Sequence, residues 1–181
     1  MPQTTARQIR LVVFDVDGVM TDGGIYMGEA GDGNPLELKR FNVQDGLGIK
    51  FLQAANLQVA LLSGRVSEAT RMRAAELGVR DVFQDAGARK IPVLQRLLDA
   101  RGLGWSAVAL LGDDLADLPV LRRVGLPATV ADAAPEVLRV AAWQSTRRGG
   151  HGAVREFVEA LLRARGEWTG LVDEYCRKRS G

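Results

Sequence analysis

The stretch LVVFDVDGVMTD, residues 11–22, decides the fold. Leu11, Val12, Val13 and Phe14 form an apolar run without polar alternation, the pattern of a strand covered on both faces of a parallel sheet. The run stops on Asp15 and Asp17, and Gly18 follows at once. A buried strand thus delivers two carboxylates at its carboxyl end, where open α/β sheets place ligands. Carboxylates at the edge of an apolar core are costly unless something cationic holds them, so a divalent metal or a phosphate-handling site is expected. A turn whose Asp residues merely cap a helix is the structural alternative. A calcium loop would need a third ligand and a distal Glu, which this stretch lacks.

Working outward, residues 107–111, AVALL, form a second apolar run that also ends on carboxylates: Gly112, Asp113, Asp114 and then Asp117. Two such strands can converge on one ion, and hard oxygen ligands suit Mg²⁺. Between them, QVALL at 58–62 ends in Ser63, Gly64 and Arg65 before a helical pattern over 66–77. A hydroxyl, a permissive Gly and a helix N-terminus make an anion site. Ser63 could equally be a helix N-cap. Lys90 precedes Ile91-Pro92, which places an ammonium at the start of a helix reaching 101, on the carboxyl side of the sheet. By charge alone Arg89 is an equal choice.

The remaining elements alternate. Strands are expected near 11–15, 58–62, 80–83, 107–111 and 127–130, with helices at about 45–55, 66–77, 91–101, 115–123 and 153–165. That order predicts one α/β domain over residues 1–181, a doubly wound, Rossmann-like parallel sheet. The irregular insert at 22–44 reads as a β-hairpin flap, with extended runs at Ile25–Met27 and Leu36–Phe41, and is too short for a separate cap domain. In the tail, 166–181, Trp168, Leu171, Val172 and Tyr175 recur at helical spacing and predict a docking helix.

Composition narrows the function classes. The chain has 24 basic and 22 acidic residues and a formal charge of +2, so nothing steers it to nucleic acid or a membrane. Its single Cys176 leaves no intrachain disulfide, no run spans a bilayer, and MPQTTARQIR is too short and polar for a secretory signal. A cytoplasmic enzyme is expected.

The ordered motifs DVDGVMTD, SGR, an isolated Lys and GDDLADLPVL resemble the haloacid dehalogenase-like phosphatase superfamily. Within it, FNVQDGLGIKFL at 41–52, SGR at 63–65 and GGHGAVREFV at 149–158 resemble the 3-deoxy-D-manno-octulosonate 8-phosphate phosphatase family, and the likeness runs from about Arg10 to Trp168. The resemblance implies a haloacid dehalogenase-like fold. It also implies that Asp15 is a nucleophile forming an aspartyl-phosphate, and Asp17 the general acid, which must keep a proton near neutral pH where Asp15 need not. It implies Mg²⁺ held by the Asp15 carboxylate, the Asp17 backbone carbonyl and Asp113. Ser63, the Gly64 N–H and Lys90 would grip the phosphoryl oxygens, with Asp114 and Asp117 behind the metal waters and Lys90.

A sugar acid phosphate also carries a carboxylate, for which Arg65 is the first choice; Arg71 and Arg73 are alternatives that helix phase does not separate. Family phosphatases acting on nine-carbon keto acids tend to lack that Arg, so the resemblance implies that Arg65, together with Asp45-Gly46 in QDGLGI, favours an eight-carbon keto sugar acid, although Gln44 stands where the family more often has Arg. Members of the family are tetramers whose flaps pack together and whose sites are completed by a neighbour, so Ile25, Tyr26, Met27, Leu36 and Leu38 are expected at interfaces. His151 stands where the family commonly has Arg, and a surface role is expected for it. Two readings from other classes stay open: a phospho-receiver, for which the required Asp could only be Asp85, and a silent scaffold that activates a partner.

Overall fold

The first strand of the chain lies inside the sheet, with neighbours on both sides. The structure, a computed structural model, describes residues 1–180. A short helix α1 (Gln3–Gln8) leads into strand β1 (Leu11–Phe14), which a wide turn over Val16–Met20 follows. The hairpin β2 (Tyr26–Glu29) and β3 (Pro35–Leu38) comes next, then α2 (Val43–Ala54), β4 (Gln58–Ser63), α3 (Glu68–Leu77), β5 (Asp81–Gln84) and α4 (Lys90–Arg101). The second half runs β6 (Val108–Gly112), α5 (Leu118–Leu121), β7 (Leu126–Thr129), α6 (Pro135–Val140), β8 (Trp143–Gln144), α7 (Ala153–Arg165) and α8 (Trp168–Arg177).

Six parallel strands in the order β5-β4-β1-β6-β7-β8 form the sheet, and helices flank it. From β1 the chain winds outward to β4 and β5, then crosses to the other side for β6, β7 and β8. The winding therefore reverses at β1, and this switch point is where a crevice opens at the carboxyl ends of the strands. Every side chain of β1 is fully buried, as are Val108, Ala109, Leu110 and Leu111 of the neighbouring β6, because both faces are covered. Phe14 meets Phe157 of α7 edge to face at 6.3 Å, and Trp143 adds a second edge contact to Phe157 at 5.2 Å.

The expected doubly wound sheet and flap are present. Helix α5 is shorter than expected for 115–123, because Asp114 to Asp117 form a tight turn and Pro119 stands at the helix start. Helix α3 begins later than expected, capped by Ser67, whose hydroxyl accepts the Thr70 N–H. The tail forms the docking helix: Trp168 and Tyr175 pack on Phe51 of α2, with centroids 5.0 and 5.3 Å away. Among the described residues no helix is long and apolar enough to cross a membrane.

Candidate active site

Three strand ends converge at the switch point. Asp15 and Asp17 leave β1, Ser63 ends β4, and Asp113 follows β6. The register explains the meeting, since Phe14 pairs with both Leu61 and Leu111. The turn after β1 closes through the Thr21 N–H, which donates to Val16 O at 3.0 Å, and the Thr21 hydroxyl accepts the Gly18 and Gly23 N–H groups. Gly18 is required there: its φ is +96°, and a Cβ would stand 2.1 Å from Asp113 Oδ2. Gly149 is packed as closely from the other side, where a Cβ would meet the Gly18 carbonyl oxygen at 1.7 Å.

Asp15, Asp113 and Asp117 bring carboxylate oxygens within 4.8 Å of one another. Lys90 crosses the cluster. Its ammonium donates to Asp15 Oδ1 and to Asp117 Oδ1, the latter at 2.6 Å, and all three side chains are buried. The position just before Ile91-Pro92 thus supplies the buried cation, while Arg89 lies in solvent beside Asp85. The Asp117 Oδ2 atom accepts the backbone N–H of Asp113 at 3.0 Å and of Asp114 at 3.4 Å, so this carboxylate shapes the loop after β6 as well as holding Lys90. Asp114 is exposed and bonds the Leu115 N–H.

The electrostatics follow from this crowding. Burial pushes the Asp15 carboxyl well above its ordinary value, the Asp117 charge adds to that, and Lys90 opposes it. Asp113 is pushed up to about 7 by burial, then by Asp117 and Asp114. Burial works against the Lys90 charge, and the Asp15 and Asp117 carboxylates more than offset it, so the ammonium is held above the ordinary lysine range. The sequence located the need for a raised carboxyl at Asp17 and not at Asp15. Asp15 is nevertheless raised, because it is buried and packed among other carboxylates.

The cluster suits a hard divalent cation. Asp113 Oδ1 is buried with no hydrogen-bond partner, whereas both Asp117 oxygens are taken. An orphaned carboxylate oxygen beside another buried carboxylate is the donor set such an ion needs.

Ser63 is buried. Its hydroxyl lies 3.3 Å from Asp17 Oδ2 and 3.0 Å from the Arg65 carbonyl oxygen, and it accepts the Arg65 N–H. It does not cap α3, a task that falls to Ser67. Asp15, Asp17, Gly64, Arg65, Lys90, Asp113, Asp114 and Asp117 line a cavity of about 240 Å³.

Not every expected residue comes to this cavity. Asp45 is a correction: its buried carboxylate accepts the Gly152 N–H at 3.2 Å and the Arg155 N–H at 2.8 Å, so it caps the start of α7 and does not face the pocket. Arg71 pairs with Glu68 on its own helix, and Arg73 with Glu76 and the Asn42 carbonyl, so neither reaches the cavity. Arg65 lines the cavity, but Glu37 of the hairpin holds its Nη2 at 3.0 Å. His151 Nδ1 lies 2.7 Å from the Gly149 carbonyl and Nε2 lies 3.1 Å from Arg40, a surface contact. Asp85 accepts the Gly87 N–H and stands away from the cluster, which leaves the receiver arrangement without its acceptor.

Two hairpin residues at the site were not expected. Lys39 Nζ lies 2.6 Å from Asp17 Oδ1, and Glu37 binds Ser67 Oγ at 2.6 Å as well as Arg65. The signal available was the alternation in PLELK, which puts Glu37 and Lys39 on one face and Leu36 and Leu38 on the other.

Known proteins resemble the chain in sequence and in fold. No protein-family model matches the chain. It is 42% identical over 164 residues to the 3-deoxy-D-manno-octulosonate 8-phosphate phosphatase KdsC of Salmonella typhi, covering 91% of this chain and 85% of that one. It is 41% identical over 162 residues to the Escherichia coli K12 protein of the same name, covering 90% and 84%. Among solved structures, the Moraxella catarrhalis 3-deoxy-D-manno-octulosonate 8-phosphate phosphatase, in complex with a magnesium ion, a phosphate ion and KDO, superposes with a TM-score of 0.87 at 34% identity, covering 96% of this chain and 97% of that one. The Yersinia pestis enzyme of that name gives 0.86 at 41% identity, covering 93% and 88%.

Proposed function

Since the chain belongs to the 3-deoxy-D-manno-octulosonate 8-phosphate phosphatase family of haloacid dehalogenase-like phosphatases, we propose that it hydrolyses that eight-carbon sugar acid phosphate with Mg²⁺ and an aspartyl-phosphate intermediate. The carrying observation is the convergence of Asp15, Asp17, Lys90 and Asp113 on one crevice at the sheet's switch point, with Ser63 hydrogen-bonded to Asp17 behind its wall. The receiver and scaffold alternatives give way to a phosphatase.

Asp15 and Asp113, with the Asp17 backbone carbonyl, would hold the Mg²⁺ found with the Moraxella relative. When bound, the ion neutralises charge between the Asp15 carboxylate and the phosphoryl oxygens. Asp15 attacks phosphorus, forming the acyl-phosphate bond as the ester P–O bond breaks. Asp17 gives its proton to the departing alkoxide, then takes one from the water that hydrolyses the aspartyl-phosphate. Lys90, Ser63 Oγ and the Gly64 N–H stabilise the charge spread over the transferring phosphoryl oxygens. Asp117 keeps Lys90 and the Asp113 loop in place.

A cavity of about 240 Å³ is below the roughly 300–1,000 Å³ of sites that enclose a whole small ligand. The sugar acid must extend past the hairpin, whose Tyr26, Met27 and Leu38 are exposed apolar side chains. These features support a homotetramer in which a neighbour's surface closes the site, and Arg65 as the partner of the substrate carboxylate once Glu37 yields it. The lone free Cys176 is compatible with a cytoplasmic setting, and a role in lipopolysaccharide sugar synthesis would follow from the substrate.

The test compares phosphate release from 3-deoxy-D-manno-octulosonate 8-phosphate and from a nine-carbon keto sugar acid phosphate, each with Mg²⁺ and with EDTA. Mg²⁺-dependent preference for the eight-carbon ester is expected. Preference for the nine-carbon ester would keep the chemistry and change the substrate, and full activity by a monomer in ultracentrifugation would overturn the shared site.

A further inference from the structure

Lys39 follows β3 directly and reaches Asp17 across 22 positions of sequence. Its side chain has no exposed surface, although most of the hairpin lies in solvent. Burying an ammonium is unfavourable unless partners hold it. Asp17 Oδ1 is one partner, at 2.6 Å, and Glu37 Oε1 is a second, at 3.7 Å. Glu37 is fixed to the body of the domain through Ser67 Oγ and Arg65. Ser67 in turn is tied by its N-cap bond to α3 and by its N–H to Gln84 Oε1 at 2.5 Å. The hairpin therefore presents Asp17 with an ammonium braced on rigid elements.

We propose that Lys39 is a positioning residue for Asp17, fixing Oδ1 so that Oδ2, beside Ser63 Oγ at 3.3 Å, is the oxygen offered to the leaving group. The inference rests on the phosphatase reading, with Asp17 as the proton donor. An ammonium is a donor only, so the oxygen it occupies neither gives nor takes a proton while the contact lasts. Proton exchange with the substrate then runs through Oδ2 alone. Without Lys39 only the 3.3 Å contact with Ser63 Oγ restrains the carboxyl, and misplacement of a reacting group by about 1 Å is enough to lose about 100-fold in rate. The loss falls on esters whose alkoxide needs a proton to depart and spares those whose aryl oxide departs unaided.

The experiment measures kcat/KM of the full-length wild type, Lys39→Met and Lys39→Arg with Mg²⁺ on phosphomonoesters of increasing leaving-group basicity. The series runs from para-nitrophenyl phosphate to a simple alkyl phosphate. None carries a carboxylate, so a role of Lys39 in gripping the substrate acid is not read. Lys39→Met is expected to lose about 10- to 100-fold on the alkyl ester and less than about 3-fold on the aryl ester, steepening the leaving-group dependence. Lys39→Arg is expected to regain part of the loss. Equal losses on both esters would mean a merely structural lysine, and a gain on the alkyl ester would mean that Lys39 sequesters Asp17; either overturns the proposal, as does an unchanged Lys39→Met. A wild type that hydrolyses neither these esters nor 3-deoxy-D-manno-octulosonate 8-phosphate would overturn the phosphatase reading itself, and this inference with it.

Discussion

The Lys90 ammonium lies 2.6 Å from Asp117 Oδ1, while the other oxygen of that carboxylate accepts the Asp113 N–H at 3.0 Å. One buried side chain thus aims the cation of the site and shapes the loop carrying Asp113. Asp117→Asn keeps the shape but removes the charge, leaving Lys90 to Asp15 alone. Supporting contacts of this kind are worth about 10- to 100-fold in activity or metal affinity. A loss of that size in kcat, with circular dichroism unchanged, is the expected result.

The stability of the metal-free protein should depend on pH through Asp113. Burial, Asp117, Asp114 and Asp132 raise its carboxyl from 3.8 to about 7, and Lys90 opposes them. A folded-state value above the unfolded one means that folding favours the protonated form. This contribution is complete below about pH 4 and is lost as pH rises through about 7. A divalent cation instead needs the carboxylate, so the Mg²⁺-induced rise in Tm should be small near pH 5 and larger near pH 8. Thermal melts with Mg²⁺ or EDTA across that range check it; an equal rise at both ends would contradict it. Asp113→Asn should abolish most of the Mg²⁺ effect.

Gly18→Ala should damage both stability and catalysis. The residue has a φ of +96° that L side chains rarely adopt, and the new methyl carbon would overlap Asp113 Oδ2. Backbone strain alone is worth about 1–3 kcal/mol, and displacement of Asp113 should lower Mg²⁺ affinity further. Denaturant unfolding and Mg²⁺ titration read the two effects separately.

Trp168→Ala should separate folding from chemistry. The indole is buried, packs at a tilt against Phe51 with centroids 5.0 Å apart and carries Arg155 and Arg163 over its face at 5.0 and 5.5 Å, away from the carboxylate cluster. Truncation of a buried aromatic costs about 3–5 kcal/mol. A lower Tm with kcat/KM unchanged below the transition is expected.

Arg65→Ala should raise KM for the sugar acid phosphate much more than for an aryl phosphate, since only the former has a carboxylate to grip. Equal effects on both would assign Arg65 to holding Glu37 and the hairpin, the contact seen at 3.0 Å.

The strands that build the site were legible because their covered faces leave unbroken apolar runs, and Asp15, Asp17, Ser63 and Asp113 stand where those runs end. Lys90 was legible from the helix start behind it. Other parts have no local signature. The two-residue edge strand Trp143–Gln144 is too short to show a period, and α6 spans only Pro135–Val140. Asp45 was misread because the N–H groups that it caps lie 107 and 110 positions further along the chain. Lys39 was missed because what fixes it, a half-buried carboxylate 22 residues earlier, becomes its neighbour only when the hairpin folds back over the first turn.

Covalent transfer to Asp15 is the central claim, and acid-quenched enzyme caught during turnover of 3-deoxy-D-manno-octulosonate 8-phosphate with Mg²⁺ tests it most directly. Peptide mass spectrometry should find a phosphoryl group on the peptide bearing Asp15, and none when EDTA is present or when Asp15→Asn is used. Rapid phosphate release with no phosphoryl-enzyme at any quench time, or with the group on another residue, would contradict the account.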